Sequence, residues 1–177
     1  RPGASEFAQA SERAADVVVR GAASTVPETA RLLVVNAGGG AQAQPPVAGD
    51  AEGAWHQAVL EHARSGRPVL ALHAASNTFY EDGRWAQVLG GRWVPGTSMH
   101  PPGGPATVQV SDVEHPITAG LAPELAIEDE RYSYLEVHPT AVPLLTHVHD
   151  DVVHPIVWAH TGDGVRVVLD TLGHDLR

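Results

Sequence analysis

Pro68-Val69-Leu70-Ala71-Leu72-His73 and Val167-Val168-Leu169-Asp170-Thr171-Leu172-Gly173-His174 are the stretches on which the fold reading turns. Each is an apolar run of strand length bounded by Pro or Gly, the pattern of a strand covered on both faces of a parallel sheet. Each also delivers a histidine at its carboxyl end. In open α/β sheets, ligands collect beyond the carboxyl ends of the strands. Two imidazoles brought to that rim therefore point to a site.

Upstream, residues 5–15 are rich in helix formers behind Ser5, and Val17-Val18-Val19 reads as a short strand. Arg31 to Val35 gives a second strand, ending in Asn36-Ala37-Gly38-Gly39-Gly40. Trp55, Val59, Leu60 and Ala63 recur at helical spacing, which predicts a helix over 52–64 stopped by Ser65-Gly66. The order helix, strand, strand, helix, strand predicts a parallel sheet with covering helices. The second half reads differently. A helix over Trp85 to Leu89 precedes short strands at Thr107–Val110, Tyr132–Val137, Val142–Val148, Ile156–Ala159 and Val165–Leu169. Pro and Gly punctuate them, so an antiparallel or mixed extension is expected, with a hairpin-like turn at Thr161-Gly162-Asp163-Gly164. No repeat or linker divides the chain, and residues 1–177 read as one α/β domain.

The bulk properties narrow the partners. A chain of 177 residues with 43% hydrophobic content can bury a sizeable core. A net charge of −10 argues against nucleic acid or an anionic membrane as the main partner. The absence of cysteine removes thiolate nucleophiles and cysteine-ligated zinc. No apolar run approaches the ~20 residues of a membrane span, and residues 1–15 lack the apolar core of a signal peptide. A cytoplasmic location is the expectation.

Several residues are candidates for chemistry. His73 sits between a strand and the small residues Ala74-Ala75-Ser76, like a nucleophile elbow with imidazole in place of the nucleophile. It fits a general base, a substrate hydrogen-bonder, a metal ligand or a satisfied structural histidine. His174, next to Asp175, has the same range of roles, with Asp175 as its orienting partner or as a group in the pocket. His100 lies in a proline-rigid loop. His115 precedes Pro116, and its structural reading is the stronger one. In Glu128-Asp129-Glu130-Arg131-Tyr132, one carboxylate has the chemistry of an acid/base or metal ligand, and a solvated strand entry is preferred for Glu128 and Asp129. His138, His147, His149 and His154 around Asp150-Asp151 have ligand chemistry but turn-like, polar surroundings, where exposed histidines are the rule. The Gly38-Gly39-Gly40 turn lacks the spacing and the following helix of a phosphate loop, and reads as a pocket rim.

Taken in order, Leu72-His73, Leu89-Gly90-Gly91, His100, His115-Pro116-Ile117-Thr118-x-Gly120-Leu121, Asp129-Glu130-x-Tyr132, Pro155-x-Val157-Trp158, Gly164-x-Arg166-Val167 and Leu172-Gly173-His174-Asp175 resemble the ThuA-like family, named for trehalose utilisation. The resemblance covers roughly residues 30–175. It implies a flavodoxin-like three-layer sandwich related to class I glutamine amidotransferases, with a mixed-strand C-terminal half. The amidotransferase nucleophile falls near His73, so amidotransferase activity is not implied. The resemblance implies the catabolism of disaccharides or oxidised sugars. It also implies a further first strand and a last helix that residues 1–177 do not supply, and hence a homo-oligomer as one way to fill the sheet.

The resulting expectation is a carbohydrate-processing enzyme acting at the strand-end rim. Its catalytic groups are His73, Glu130, His174 and Asp175, and its substrate contacts are His100, His115, Tyr132 and Trp158. The cofactor considered is a divalent metal such as zinc, on His73, His174 and either His100 or Glu130. The rival expectation is a non-catalytic ligand-binding or assembly module on the same fold.

Overall fold

The computed structural model describes residues 26–38, 51–79 and 82–174. The strand expected at 17–19 and the helix over 5–15 lie outside the described residues, as does Asp175. A single mixed sheet organises the rest, in the order β1 (Leu33–Val35), β2 (Pro68–Leu72), β9 (Arg166–Asp170), β8 (Val152–His160), β7 (Val142–His149), β4 (Gly104–Val110), β5 (Glu124–Asp129). A two-stranded ribbon pairs β3 (Gly91–Arg92) with β6 (Glu136–Val137).

β1, β2 and β9 run parallel, and each remaining strand is antiparallel to its neighbour. It follows that β2, β9, β7 and β5 all point the same way, and their carboxyl ends share one edge. β2 and β9 are in register up to Leu72↔Asp170, so His73 and Thr171 leave the sheet side by side.

Helix α1 (Ala51–Arg64) packs Val59, Leu60 and Ala63 onto Val69, Ala71, Val167 and Leu169. It ends at Gly66, whose φ of +77° suits glycine, and Ser65 Oγ donates to the His62 carbonyl. Helix α2 (Gly83–Leu89) is capped by Asp82, which accepts from the Arg84 amide, and is stopped by the left-handed Gly90. A Cβ at Gly90 would also fall 2.8 Å from the Cβ of His160, so no larger residue fits. Two buried indoles lock this region, Trp85 donating to the Ala75 carbonyl (3.0 Å) and Trp158 to the Leu89 carbonyl (2.8 Å).

Two elements depart from the sequence reading. Tyr132–Val137 is not a continuous strand; it holds one bridge at Ser133 and the short β6. β5 is a strand where the sequence shows only an acidic approach to Tyr132; its burial alternates with the period of two of a half-buried strand, with Leu125, Ile127 and Asp129 the less exposed positions. Burial along β2 also alternates, with Val69 and Ala71 fully covered and Leu70 and Leu72 partly so. Among the described residues, then, one face of the parallel part is the more densely packed.

The sheet does not lie flat. β5 is four strand spacings from β9, about 19 Å in a flat sheet, yet the Asp129 carboxylate accepts from the Gly173 amide at 2.6 Å. The curl is accommodated where β7 breaks register with β8, between Pro143 and Thr146, and where β4 meets β7 over only two residue pairs. Bulges of this kind raise local twist and bend a strand.

Candidate functional site

His73 stands at the end of β2 with φ = +46°, a left-handed conformation that a non-glycine residue seldom adopts. It opens a 3₁₀ turn, His73–Asn77, in which Ser76 Oγ donates back to the His73 carbonyl. The small residues there are required: a Cβ added at Gly38 would collide with the Cβ of Ala74. Thr78 Oγ1 ties the same turn to the Ala37 carbonyl. This is the elbow the sequence suggested, with its imidazole lifted to the rim.

The ring's tautomer follows from its partners. Nδ1 lies 2.9 Å from the Thr171 carbonyl, which can only accept, so Nδ1 carries the proton and Nε2 presents a lone pair. Three groups face that lone pair: Tyr132 Oη at 3.1 Å, His174 Nδ1 at 3.2 Å and Glu130 Oε2 at 4.0 Å. Glu130 Oε2 in turn lies 3.1 Å from His174 Nδ1. Burial, reinforced by the charges of Glu130 and Asp129, pushes the Tyr132 phenol well above its ordinary range, so it stays a neutral donor.

Asp129 is the clasp of this arrangement. Its carboxylate accepts from the amides of Glu130 (2.7 Å), Gly173 (2.6 Å) and His174 (3.2 Å). The solvated reading preferred for Asp129 from sequence is therefore corrected: the half-buried side chain joins the end of β5 to the segment after β9. Asp170 sits beneath, its carboxyl raised from the usual range by burial and by Asp129, an effect partly opposed by the Leu172 amide and by His73.

The other candidates divide. His100 borders the cluster without joining its centre: Nδ1 is 3.1 Å from the Pro101 carbonyl and 3.7 Å from Glu130 Oε1, the carboxylate oxygen turned away from the histidine pair. His100 stacks on Tyr132 with ring centroids 5.8 Å apart. His115 bonds only within its own turn, to Ile117 and Thr118, and does not reach the cluster. Trp158 is fully buried with its N–H committed to Leu89, so it belongs to the core and offers no face to a ligand. The aromatic that does flank the site is Trp93, whose ring meets Tyr132 edge-on at 4.8 Å and whose amide is held by the Ser76 carbonyl. It directly follows Leu89-Gly90-Gly91-Arg92, so its place in the chain was visible though its role was not.

The histidines of the β7–β8 hairpin do not form a ligand set. His147 and His154 are cross-strand partners and buried, which corrects the expectation of exposure. His138 instead packs near His160. Among the described residues, the grouping of three ligand atoms within 4.8 Å of one another is His73, Glu130 and His174.

Comparison with known proteins agrees with this architecture. The family model described as "ThuA: Trehalose utilisation" matches residues 31–177. The chain belongs to the ThuA family. A ThuA-like protein from Parabacteroides merdae has a similar structure, with a TM-score of 0.64 and 18% identity over 82% of this chain and 61% of that one. Another from Bacteroides uniformis gives 0.61 and 19%, over 81% and 60%. A cytoplasmic protein from Salmonella typhimurium gives 0.58 and 13%, over 86% and 68%. The chain thus spans about three fifths of the two ThuA-like structures. No curated protein matches. No helix among the described residues is long and apolar enough to cross a membrane.

Proposed function

We propose that this ThuA-family chain binds a small sugar or oxidised sugar derivative at the rim formed by His73, Glu130, Tyr132 and His174, and acts on it by proton transfer. The observation that carries the reading is the convergence on His73 Nε2 of a phenol, a second imidazole and a carboxylate, from three separate segments of the chain. An imidazole lone pair with a carboxylate beside it is a proton acceptor, and the neutral Tyr132 hydroxyl is a donor. Polyhydroxylated ligands need several fixed polar groups and an aromatic wall, which Trp93 and His100 supply here. The family description, trehalose utilisation, points to the same substrate class.

The flavodoxin-like sandwich belongs to this proposal too, supported by the parallel order β1-β2-β9. So does a homo-oligomer, which light scattering would reveal. The test of the function is thermal shift against disaccharides and keto-sugars. A ligand at 100 times its dissociation constant adds about 2.7 kcal/mol of stability, and His73→Ala should abolish the shift. A flat response to every sugar, or a shift unchanged in His73→Ala, removes the proposal. Stabilisation without turnover would reduce the protein to a ligand-binding module.

A further inference from the structure

We propose that His73 Nε2, His174 Nδ1 and Glu130 Oε2 form a binding site for a zinc-type divalent metal ion. The inference deepens the proposed function and rests on the same convergence of side chains, since the ion would sit where the sugar is proposed to react.

The three atoms are separated by 3.2, 3.1 and 4.0 Å. One ion can reach all three at about 2.0–2.2 Å, the lengths zinc adopts to imidazole nitrogen and carboxylate oxygen. The lone pair at His73 Nε2 is fixed by the Nδ1–H bond to the Thr171 carbonyl, which is how a metal-ligating imidazole is ordinarily held. Glu130 and His174 are fixed through their backbone amides, both clasped by Asp129. The closure of β5 onto the segment after β9 therefore brings the backbone of the two ligand residues together.

Without an ion the arrangement is over-supplied with donors. Tyr132 O–H and His174 Nδ1 both approach the one lone pair of His73 Nε2, and two ring nitrogens face each other at 3.2 Å. An ion takes that lone pair and leaves the Tyr132 hydroxyl free for a ligand. Two imidazoles with one carboxylate suit zinc, cobalt, nickel or iron(II) better than magnesium or calcium, which favour all-oxygen sites. Three protein ligands leave a position open, the mark of a reactive rather than a structural site. The ion would be reached from solvent on the His174 side, where that side chain is 49% exposed. His100 is not the third ligand: its Nδ1 faces the Pro101 carbonyl and the wrong oxygen of Glu130.

The test is titration of the chelator-stripped protein with Zn²⁺ by calorimetry and with Co²⁺ by visible absorption. The expected result is one ion per chain and a cobalt spectrum, with affinity falling at least about 100-fold in Glu130→Gln and His174→Ala. Asp129→Asn, a positioning change, should weaken binding about 10-fold while retaining the spectrum. His138→Ala, away from the cluster, should bind as the parent does. Failure to bind, or affinity unchanged in both Glu130→Gln and His174→Ala, overturns the site. Metal binding with no response to sugars would leave the site standing and remove the sugar proposal; sugar binding by a protein that takes up no ion in the titration would do the reverse.

Discussion

At the β1-β2-β9 end of the sheet, strands run parallel, helices α1 and α2 cover a face, and Val69, Ala71, Val167 and Leu169 are buried. At the β4-β5 end, the strands form an antiparallel ribbon whose single fully buried residue is Val108. Stability is concentrated in the first region, where apolar area is removed from water at roughly 25 cal/mol per Å². The second adds little burial, but it supplies Asp129 and Glu130. The ribbon reaches the core's histidines only because the sheet curls. One half thus provides rigidity and imidazoles, and the other provides the carboxylate chemistry.

The largest effect should come from the junction. Trp158→Ala removes a fully buried indole and leaves the Leu89 carbonyl without its donor, so a loss of about 3–5 kcal/mol is expected by urea denaturation. If that loss were small, the core would not reside where the comparison puts it. Asp129→Ala should cost less, about 1–3 kcal/mol, because the Gly173 and His174 amides it releases are exposed. Its signature is selective: hydrogen exchange should accelerate in 124–130 and 172–174 while β2 and β9 stay protected. Uniform acceleration would make the ribbon part of the core.

Acid sharpens the contrast further. Burial depresses His62, His147 and His154 below the ordinary imidazole range. The unfolded chain therefore takes up protons near pH 6.5 that the folded chain refuses, and stability falls as pH drops through that value. Between pH 7.5 and 5.5 the melting temperature should fall by at least about 2 °C. Asp170, raised by burial, acts in the opposite sense and only as the pH nears the carboxylate range. A melting temperature that rises on acidification would mean that these histidines are not buried as described. The smallest effect belongs to the hairpin tip, where Val153 is 62% exposed. Val153→Thr should change stability by less than about 0.5 kcal/mol.

The parallel core was legible because its residues announce themselves locally. Val69–Leu72 and Val167–Leu169 are continuous apolar runs, and Trp55, Val59, Leu60 and Ala63 keep helical spacing over a helix found at Ala51–Arg64. The rim histidines followed from where those runs end. What stayed hidden is non-local. Nothing near Asp129 in sequence says that its carboxylate will meet the Gly173 amide, because that contact depends on a curl set by bulges near Pro143–Thr146. Trp158 misled for a related reason: an aromatic looks alike in sequence whether it lines a pocket or fills a core. β5 was harder to see, since Leu125-Ala126-Ile127 is only a short apolar run between acids, and its alternation appears in the burial of Leu125 and Ile127 and not in residue type.

The most direct test is the ring-nitrogen NMR spectrum of the histidines in metal-free protein, compared with that of Glu130→Gln. If curling places this carboxylate between two distant strand ends, the resonances of both His73 and His174 should move, while those of His62 and His147 stay in place. Unmoved His73 and His174 signals would contradict the account.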